Sequence, residues 1–263
     1  TLDDIGPASA STNENVFLDI AGSSLATVNI TSANDSFVVL ENSGGSLATI
    51  NIAGSGALGL IGTLANSITT IDANTSSTNL TLTTGTAGTT VTGGSGNDSV
   101  TLSGGNNNVT SGDGGDTITL GSGNDTVNTG SGNDNVVASA GTNNITTGSN
   151  NDQVTISGGN NTVNTGDNND QVNISNGTNN VDTGSGNDTV NASGGNNDID
   201  TDAGNDEVVL TGGTNDVDTG SNNDTVTLSS GTDTVDMGSG NDTVEAGANL
   251  STADTVNGGD GTS

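Results

Sequence analysis

A nine-residue repeat runs without insertion from Gly93 to Glu245 and constrains the fold more than any other feature of the chain. It holds 17 units in one register, and the eighth position of every unit is Val or Ile, from Val100 to Val244. Gly, Ser, Asn and Asp fill most of positions two to six. A β-branched residue bounded by such turn residues is typical of a very short strand. An unbroken period of this kind indicates a solenoid, in which each coil packs on its neighbours.

Two kinds of unit alternate, so the structural period is a pair of nonapeptides rather than a single one. Position six is Asp in every odd unit; in even units it is Asn except at Asp125 and Asp233. Position one is aliphatic in even units and mostly Thr in odd ones, which predicts a core of Val and Ile extended by aliphatic side chains on one strand and by Thr on the other. The Asp row consists of Asp98, Asp116, Asp134, Asp152, Asp170, Asp188, Asp206, Asp224 and Asp242. The Asn row consists of Asn107, Asp125, Asn143, Asn161, Asn179, Asn197, Asn215 and Asp233.

Three units show a family resemblance: GGSGNDSVT from Gly93, TGSGNDTVN from Thr183 and MGSGNDTVE from Met237. They resemble the GGxGxDxUx nonapeptide of RTX, or hemolysin-type, calcium-binding proteins. The resemblance implies that two nonapeptides form one coil of a right-handed parallel β-roll, with calcium between successive turns along one edge. The predicted fold class is therefore all-β. We expect a right-handed parallel β-solenoid whose larger, aliphatic-core coils at the N-terminus continue into an RTX β-roll with 18-residue coils.

The composition excludes most classes of function. The chain has no Lys, Arg or His and 31 Asp plus Glu, which gives a net charge of −31. Nucleic acids and anionic membranes are bound by cationic residues, so neither is expected as a partner. His, Lys, Cys and Tyr are absent, which leaves Asp, Glu, Ser and Thr among the usual general bases and nucleophiles, and we expect neither an enzyme nor a small-molecule substrate. No apolar run approaches the roughly 18 residues of a membrane span, so membrane insertion is not expected.

The Asp row requires a counterion. Equivalent side chains of stacked strands lie about 4.8 Å apart, where two carboxylates repel by about 3 to 4 kcal/mol at an effective dielectric of about 20. Because the chain has no basic residue, a cation with oxygen ligands must supply the charge, and Ca²⁺ fits this chemistry better than Mg²⁺. The nine Asp enclose eight gaps, so about eight Ca²⁺ are predicted along this edge. Backbone carbonyls are expected to contribute around Gly112, Gly130, Gly148, Gly166, Gly184, Gly220 and Gly238.

The Asn row is expected to hold without an ion, because neutral amides stack as hydrogen-bonded ladders along a repeat axis. A solvated acidic edge with Asx-turns is the alternative for the Asp row. For Asp125 and Asp233, calcium binding and a purely structural role both stay open.

A further acidic patch is predicted on one sheet face of the C-terminal half. Its members stand at outward-facing positions seven and nine of even units. A solubilising face that blocks sheet stacking is one interpretation, and an extra cation site or a cation-bridged contact with a neighbouring molecule is the other. The patch comprises Asp182, Asp198, Asp200, Asp216, Asp218 and Asp236.

Before Gly93 the acidic motif disappears but the repetition continues. LATVNI (25–30), LATINI (47–52), ITTIDA (68–73) and GTTVTG (88–93) recur at intervals that shorten by one residue each time, with further apolar runs between them. Three regions are therefore predicted. Residues 1–92 form solenoid coils that are two to four residues longer than those of the roll and carry no calcium motif, 93–245 form the β-roll, and 246–263 form an irregular last coil that is cut short. The polar start, 1–15, is expected to drape over the first coil as a cap.

Three alternative functions are compatible with these sequence features. The first is a calcium-stabilised structural protein of the extracellular cell surface, which associates with copies of itself into an S-layer, filament or matrix. The second is a calcium-dependent folding or spacer module of a larger secreted adhesin, toxin or hydrolase. A minor third is ice binding, since some solenoids of the resembled family present flat arrays of turn residues.

Overall fold

The structure, a computed structural model, describes residues 2–3, 15–19, 25–41, 45–246 and 250–261, and every regular element among them is a β-strand. In these ranges there is no helix of the length and apolarity needed to cross a membrane. The chain divides into two compact units, Thr1–Asn135 and Val136–Ser263. Both are β-solenoids built from two parallel sheets.

The first unit contains thirteen strands in its described part. They are β1 (Leu2–Asp3), β2 (Asn15–Asp19), β3 (Thr27–Ser32), β4 (Ser36–Glu41), β5 (Thr49–Gly54), β6 (Leu58–Thr63), β7 (Thr70–Ser76), β8 (Leu80–Thr83), β9 (Thr90–Thr92), β10 (Ser99–Thr101), β11 (Asn108–Asp113), β12 (Thr117–Leu120) and β13 (Thr126–Ser131). Odd-numbered strands pair in sequence in one sheet and even-numbered strands in the other.

The second unit repeats this arrangement. Its strands are β14 (Asn135–Ala138), β15 (Asn144–Ser149), β16 (Gln153–Ile156), β17 (Asn160–Asp167), β18 (Gln171–Ile174), β19 (Thr178–Asp182), β20 (Thr189–Ala192), β21 (Asn196–Asp200), β22 (Glu207–Leu210), β23 (Thr214–Asp218), β24 (Thr225–Leu228), β25 (Thr232–Asp236), β26 (Thr243–Ala246) and β27 (Thr255–Asn257).

Strand register confirms the predicted shortening of the coils. Thr27 pairs with Thr49, Thr49 with Thr70, Thr70 with Thr90, and Thr90 with Asn108. The number of residues between paired positions falls at each pair in this series. The last separation equals two nonapeptides, and the same separation recurs in both compact units. The β-roll with 18-residue coils is therefore confirmed, and it is preceded by larger coils.

The core lies between the two sheets, as the repeat predicts. Position-eight Val and Ile are buried from Val100 to Val235, whereas Val244 in the last repeat is half-buried. The aliphatic residues at position one of the even-numbered nonapeptides, such as Leu102 and Ile156, are buried on one side of this core. Thr residues at position one of the odd-numbered nonapeptides, such as Thr165, are buried on the other side. Larger aliphatic side chains fill the first coils, where Leu47, Ile50 and others are fully buried. Parallel strands normally have both faces covered; here one face packs inward and polar residues cover the other.

At both ends of the described part of the chain, a short strand pairs with the sheet of odd-numbered strands. Leu2–Asp3 pairs with β3 as strand β1, because an open edge of sheet offers backbone partners. Most of the rest of 1–15, on which the predicted cap falls, lies outside the described residues. At the other end, three extra residues precede β27, and Val256 pairs with Val235. The insertion therefore leaves the register of the last coil intact.

Candidate metal-binding edge

The Asp row lies inside the turns that lead into the even-numbered strands. Each of its members from Asp98 to Asp224 is at most 3% exposed, and Asp242 is half-buried. Asp188 immediately precedes β20, and its neighbours stand in the same way before their strands. The backbone oxygen of Asp170 accepts the N–H of Thr189 at 2.9 Å, which ties each turn to the next coil. The fold thus places three predicted ligands in the first unit and six in the second.

One carboxylate oxygen of each of these residues is used in the fold. Oδ1 of Asp116 accepts the backbone N–H of Asp98, one coil earlier, at 2.7 Å. The same bond joins Asp170 to Asp188 and Asp188 to Asp206, at 2.8 Å each. It recurs along the described row at distances of 2.7 to 3.0 Å. The carboxylate is therefore held in a fixed orientation by the coil before it.

In several of these residues the second oxygen is left without a hydrogen-bond partner, whereas in Asp98 it accepts the backbone N–H of Gly94 at 3.3 Å. Buried Oδ2 atoms with no hydrogen bond belong to Asp116, Asp170, Asp188, Asp206, Asp224 and Asp242. Buried polar atoms nearly always have a hydrogen-bond partner, so an unpaired buried oxygen indicates a missing partner or ligand. A whole row of ionised carboxylates in this state is costly. The row therefore presents oxygen atoms to a ligand that must be cationic.

Burial makes these carboxylates hard to ionise in the absence of a cation. Desolvation raises the pKa of Asp116 and of Asp170 to about 7, and that of Asp98 and of Asp206 to about 6. The same cause raises the pKa of Asp134, Asp188 and Asp224. For Asp116, Asp170 and Asp206 the charges of neighbouring Asp in the row act in the same direction. A bound cation would reverse this balance by favouring the charged form.

Backbone oxygens at position four enter the gaps between coils. The oxygen of Asn168 lies where a Cβ on Gly186 would stand, and Oδ1 of Asp188 is 3.0 Å from that same point. The backbone oxygen of Gly186 likewise lies where a Cβ on Gly204 would stand, and Oδ1 of Asp206 is 3.0 Å from that point. A carbonyl from one coil and a carboxylate from the next therefore converge. In the sequence, these backbone carbonyls are marked by position four of the odd-numbered nonapeptides, which is always Gly or Asn.

The carbonyls predicted at position two have a different environment. The oxygens of Gly166, Gly184, Gly220 and Gly238 each accept a backbone N–H from the following coil, at 2.8 to 3.1 Å. A carbonyl has a second lone pair, so these oxygens can still accept from or bind a second group. In the described chain no three acidic side chains converge as a ready metal cluster. A cation would therefore depend on carboxylates from adjacent coils supplemented by carbonyls.

Ca²⁺ fits this set of donors. It takes six to eight oxygen ligands and accepts carboxylate and carbonyl oxygens together. Asp116, Asp170, Asp188, Asp206, Asp224 and Asp242 would hold it through Oδ2. When bound, the ion supplies positive charge that neutralises stacked carboxylates. The protein's own contribution is to fix each carboxylate through Oδ1 and to exclude water by burial.

The Asn row forms a directional ladder on the opposite edge. Nδ2 of Asn161 donates to Oδ1 of Asn179, which donates to Asn197, and so on to Asn215, at 2.7 to 2.9 Å. The last member, Asn215, donates to Oδ1 of Asp233 at 2.7 Å. The amides satisfy one another, so this edge needs no counterion.

Both exceptional Asp in the Asn row accept from this kind of ladder. In the first unit Asn107 donates to Oδ1 of Asp125 at 2.8 Å, as Asn215 does to Asp233 in the second. The backbone N–H of Asp233 in turn donates to Oδ1 of Asp254 at 3.0 Å. A carboxylate accepts hydrogen bonds but donates none when ionised. Each of these Asp therefore accepts from the Asn one coil earlier and, when ionised, offers no side-chain donor to the next coil.

The acidic patch lies on the outer face of the odd-numbered sheet of the second unit. Asp182, Asp200, Asp218 and Asp236 stand opposite one another in register, as do Asp198 and Asp216. Burial and then the charge of Asp202 raise the pKa of Asp182 and of Asp200. Asp202 itself was not singled out in the sequence; it stands where other odd units of the roll carry Gly. All of these side chains are exposed or half-buried, and their use as a cation or contact site stays a prediction.

Comparison with known families supports the repeat chemistry. The model of the RTX calcium-binding nonapeptide repeat matches four times, at residues 84–118, 119–154, 174–208 and 210–244. No curated protein and no solved structure matches the chain.

Proposed function

Because the chain belongs to the RTX calcium-binding nonapeptide-repeat family, we propose that it is a calcium-stabilised structural protein of the extracellular cell surface. In this proposal about eight Ca²⁺ lie along the Asp row, and copies of the protein associate into an S-layer, a filament or a matrix. Repeats of this family are typically structural and typical of secreted proteins, which supports the class and the location.

The row of unpartnered Oδ2 atoms carries the proposal. These atoms are buried, they recur at Asp116 and in every coil from Asp170 to Asp242, and no Lys, Arg or His exists anywhere in the chain to pair with them. The charge must therefore come from outside the protein. Eight Ca²⁺ would reduce the net charge from −31 to about −15, since each ion adds two positive charges.

Calcium also explains why an extracellular location is proposed. Extracellular modules bind Ca²⁺ with dissociation constants of about 10⁻⁴ to 10⁻³ M. A ligand that binds only the folded state stabilises it according to its concentration. The coils would then be unstable at low calcium and become stable where calcium reaches millimolar levels.

Three measurements test the proposal, the first two for calcium binding and the third for assembly. Circular dichroism of the metal-stripped chain should show a change from disorder to β-structure at millimolar Ca²⁺, reversed by a chelator, and isothermal titration calorimetry should give about eight ions. An unchanged spectrum in excess chelator would refute the calcium dependence. Electron microscopy with and without Ca²⁺ then tests assembly: ordered sheets or filaments support it, whereas soluble monomers favour a module of a larger protein.

A further inference from the structure

The chain contains two Asn–Gly pairs, Asn176–Gly177 and Asn257–Gly258. In such a pair the backbone nitrogen of the glycine can attack the side-chain carbonyl carbon of the asparagine, because glycine has no side chain to block the approach and its backbone is permissive. Every other asparagine of the chain precedes a residue that carries a side chain. The two pairs are alike in sequence, so a difference in their reactivity must come from the fold.

The side chain of Asn176 is unrestrained. It is exposed, in the turn between β18 and β19. Within the described residues, neither this side chain nor the N–H of Gly177 makes a hydrogen bond. The equivalent residues one coil earlier and one coil later are Gly158 and Gly194, so neither presents a side chain to it. The carboxamide is therefore free to rotate toward the nitrogen of Gly177.

The side chain of Asn257, at the end of β27, is held at both of its polar atoms. Its Nδ2 donates to Oδ2 of Asp236 at 3.1 Å, and its Oδ1 accepts the N–H of Gly259 at 3.2 Å. Its backbone oxygen also accepts the N–H of Met237 at 3.0 Å. Rotation of this carboxamide toward the nitrogen of Gly258 would break both side-chain hydrogen bonds.

We propose that Asn176 is a site of spontaneous deamidation in the folded protein and that its hydrogen bonds protect Asn257. The nitrogen of Gly177 forms a bond to Cγ of Asn176, the bond from Cγ to Nδ2 breaks, and Nδ2 leaves as ammonia with the proton of the Gly177 amide. Water then opens the resulting succinimide at one of its two carbonyl carbons, which gives aspartate or isoaspartate.

Both products alter the edge that carries the Asn row. The backbone oxygen of Asn176 accepts Nδ2 of Asn179 at 3.2 Å, and the backbone oxygen of Gly177 accepts the N–H of Asn196 at 2.8 Å. Isoaspartate routes the main chain through the former side chain and so adds one carbon between these two acceptors. Either product also places a carboxylate on an edge whose amides satisfy one another. We therefore expect deamidation to loosen this coil.

The test follows both pairs in the same full-length chain. Protein saturated with Ca²⁺ and protein unfolded in chelator and urea are incubated at mildly alkaline pH and digested with pepsin. Mass spectrometry measures deamidation at each pair, and electron-transfer fragmentation identifies isoaspartate. Asp236→Ala is the matched variant, because it removes the acceptor of Asn257 Nδ2 without touching Asn176. Circular dichroism establishes which samples are folded.

In the folded protein we expect Asn176 to deamidate about tenfold faster than Asn257, since two hydrogen bonds must break before Asn257 can react. In urea the two rates should converge. In Asp236→Ala, deamidation of Asn257 should be about threefold faster than in the parent, and that of Asn176 unchanged. The isoaspartyl form, separated by anion exchange, should unfold at a lower urea concentration than the parent in saturating Ca²⁺.

Equal rates at the two pairs in the folded protein would overturn the inference. A rate ratio that urea leaves unchanged would do the same, because the local sequence would then set it. An unchanged rate at Asn257 in Asp236→Ala would refute the protection by hydrogen bonds, and parent stability of the isoaspartyl form would refute the loosening of the coil. A chain that folds without Ca²⁺ gives the same comparison, so the result is independent of the proposed function.

Discussion

Oδ1 of Asp188 accepts the backbone N–H of Asp170 at 2.8 Å, and Oδ2 of the same carboxylate is buried with no partner. One nonapeptide later, Asn197 occupies the equivalent place on the opposite edge and donates through Nδ2 to Oδ1 of Asn215 at 2.7 Å. The two side chains differ by one atom. That atom decides whether the edge satisfies itself or depends on an external charge.

Exchanging the two side chains should therefore have opposite effects. Asp188→Asn keeps the Oδ1 acceptor and removes a buried charge, so we expect about two fewer bound Ca²⁺ and greater stability without calcium. Asn197→Asp removes donors to Asn215 and Gly194 and buries a charge, so we expect a loss of about 1 to 3 kcal/mol that calcium does not restore. Calorimetric stoichiometry, urea unfolding in saturating Ca²⁺ and circular dichroism of the metal-free chain measure these effects. Unchanged stoichiometry in Asp188→Asn would contradict the assignment of the Asp row.

Without calcium, the fold should be more stable in acid than at neutral pH. Burial raises the pKa of Asp116 and of Asp170 to about 7, above the value of 3.8 expected in the unfolded chain. The folded state then holds protons that the unfolded state has released, so this contribution is complete below about pH 4 and is lost as pH rises through 6 to 7. The β-structure of the metal-stripped protein, followed by circular dichroism from pH 8 to pH 5, measures the difference: it should increase as the pH falls.

Saturating Ca²⁺ provides the control for this pH dependence. A bound cation favours the ionised carboxylates, so stability should no longer fall between pH 5 and pH 8. More β-structure in the metal-free protein at pH 8 than at pH 5 would argue against buried, cation-dependent carboxylates.

Asp233→Asn should leave calcium binding unchanged. Asp233 accepts from Nδ2 of Asn215 through Oδ1, and an Asn at this place can accept the same bond. Burial raises the pKa of Asp233, so removing its charge should cost little or stabilise slightly. Calorimetry counts the ions, and Asp224→Asn in the Asp row serves as the positive control. A lower calcium count in Asp233→Asn would instead place a calcium ligand in the Asn row.

Asp202→Gly should stabilise the second unit by about 1 kcal/mol, because a backbone strain is relieved. Asp202 has φ of 59°, in the left-handed region that costs an L-residue about 1 to 2 kcal/mol, though Asp tolerates it better than most. Its carboxylate also raises the pKa of Asp182 and of Asp200 through like-charge repulsion. Chemical unfolding measures the gain. Asp198→Asn removes one charge from the same face without a backbone change, so a gain of equal size there would assign the effect to charge alone.

Much of the fold could be predicted because it depends on chain period. Position-eight Val and Ile recur once in every nonapeptide, and in a strand alternate residues face the core. The shortening of the coils between Thr27 and Asn108 could be predicted from the apolar strings alone. Strand β1 was missed because Leu2–Asp3 is too short to carry a pattern, and it pairs only because β3 offers an open edge.

The sequence by itself determined which residues face inward, which coil each belongs to, and that an acidic row and an amide row run along opposite edges, because these follow from periodicity. Only the tertiary structure decided how each oxygen is used. The unpaired Oδ2 of Asp188, the position-four oxygen of Asn168 and the acceptor role of Asp233 all depend on contacts within a folded turn or between residues one coil apart. Hydrogen-bond geometry of that kind exists only once neighbouring coils have stacked.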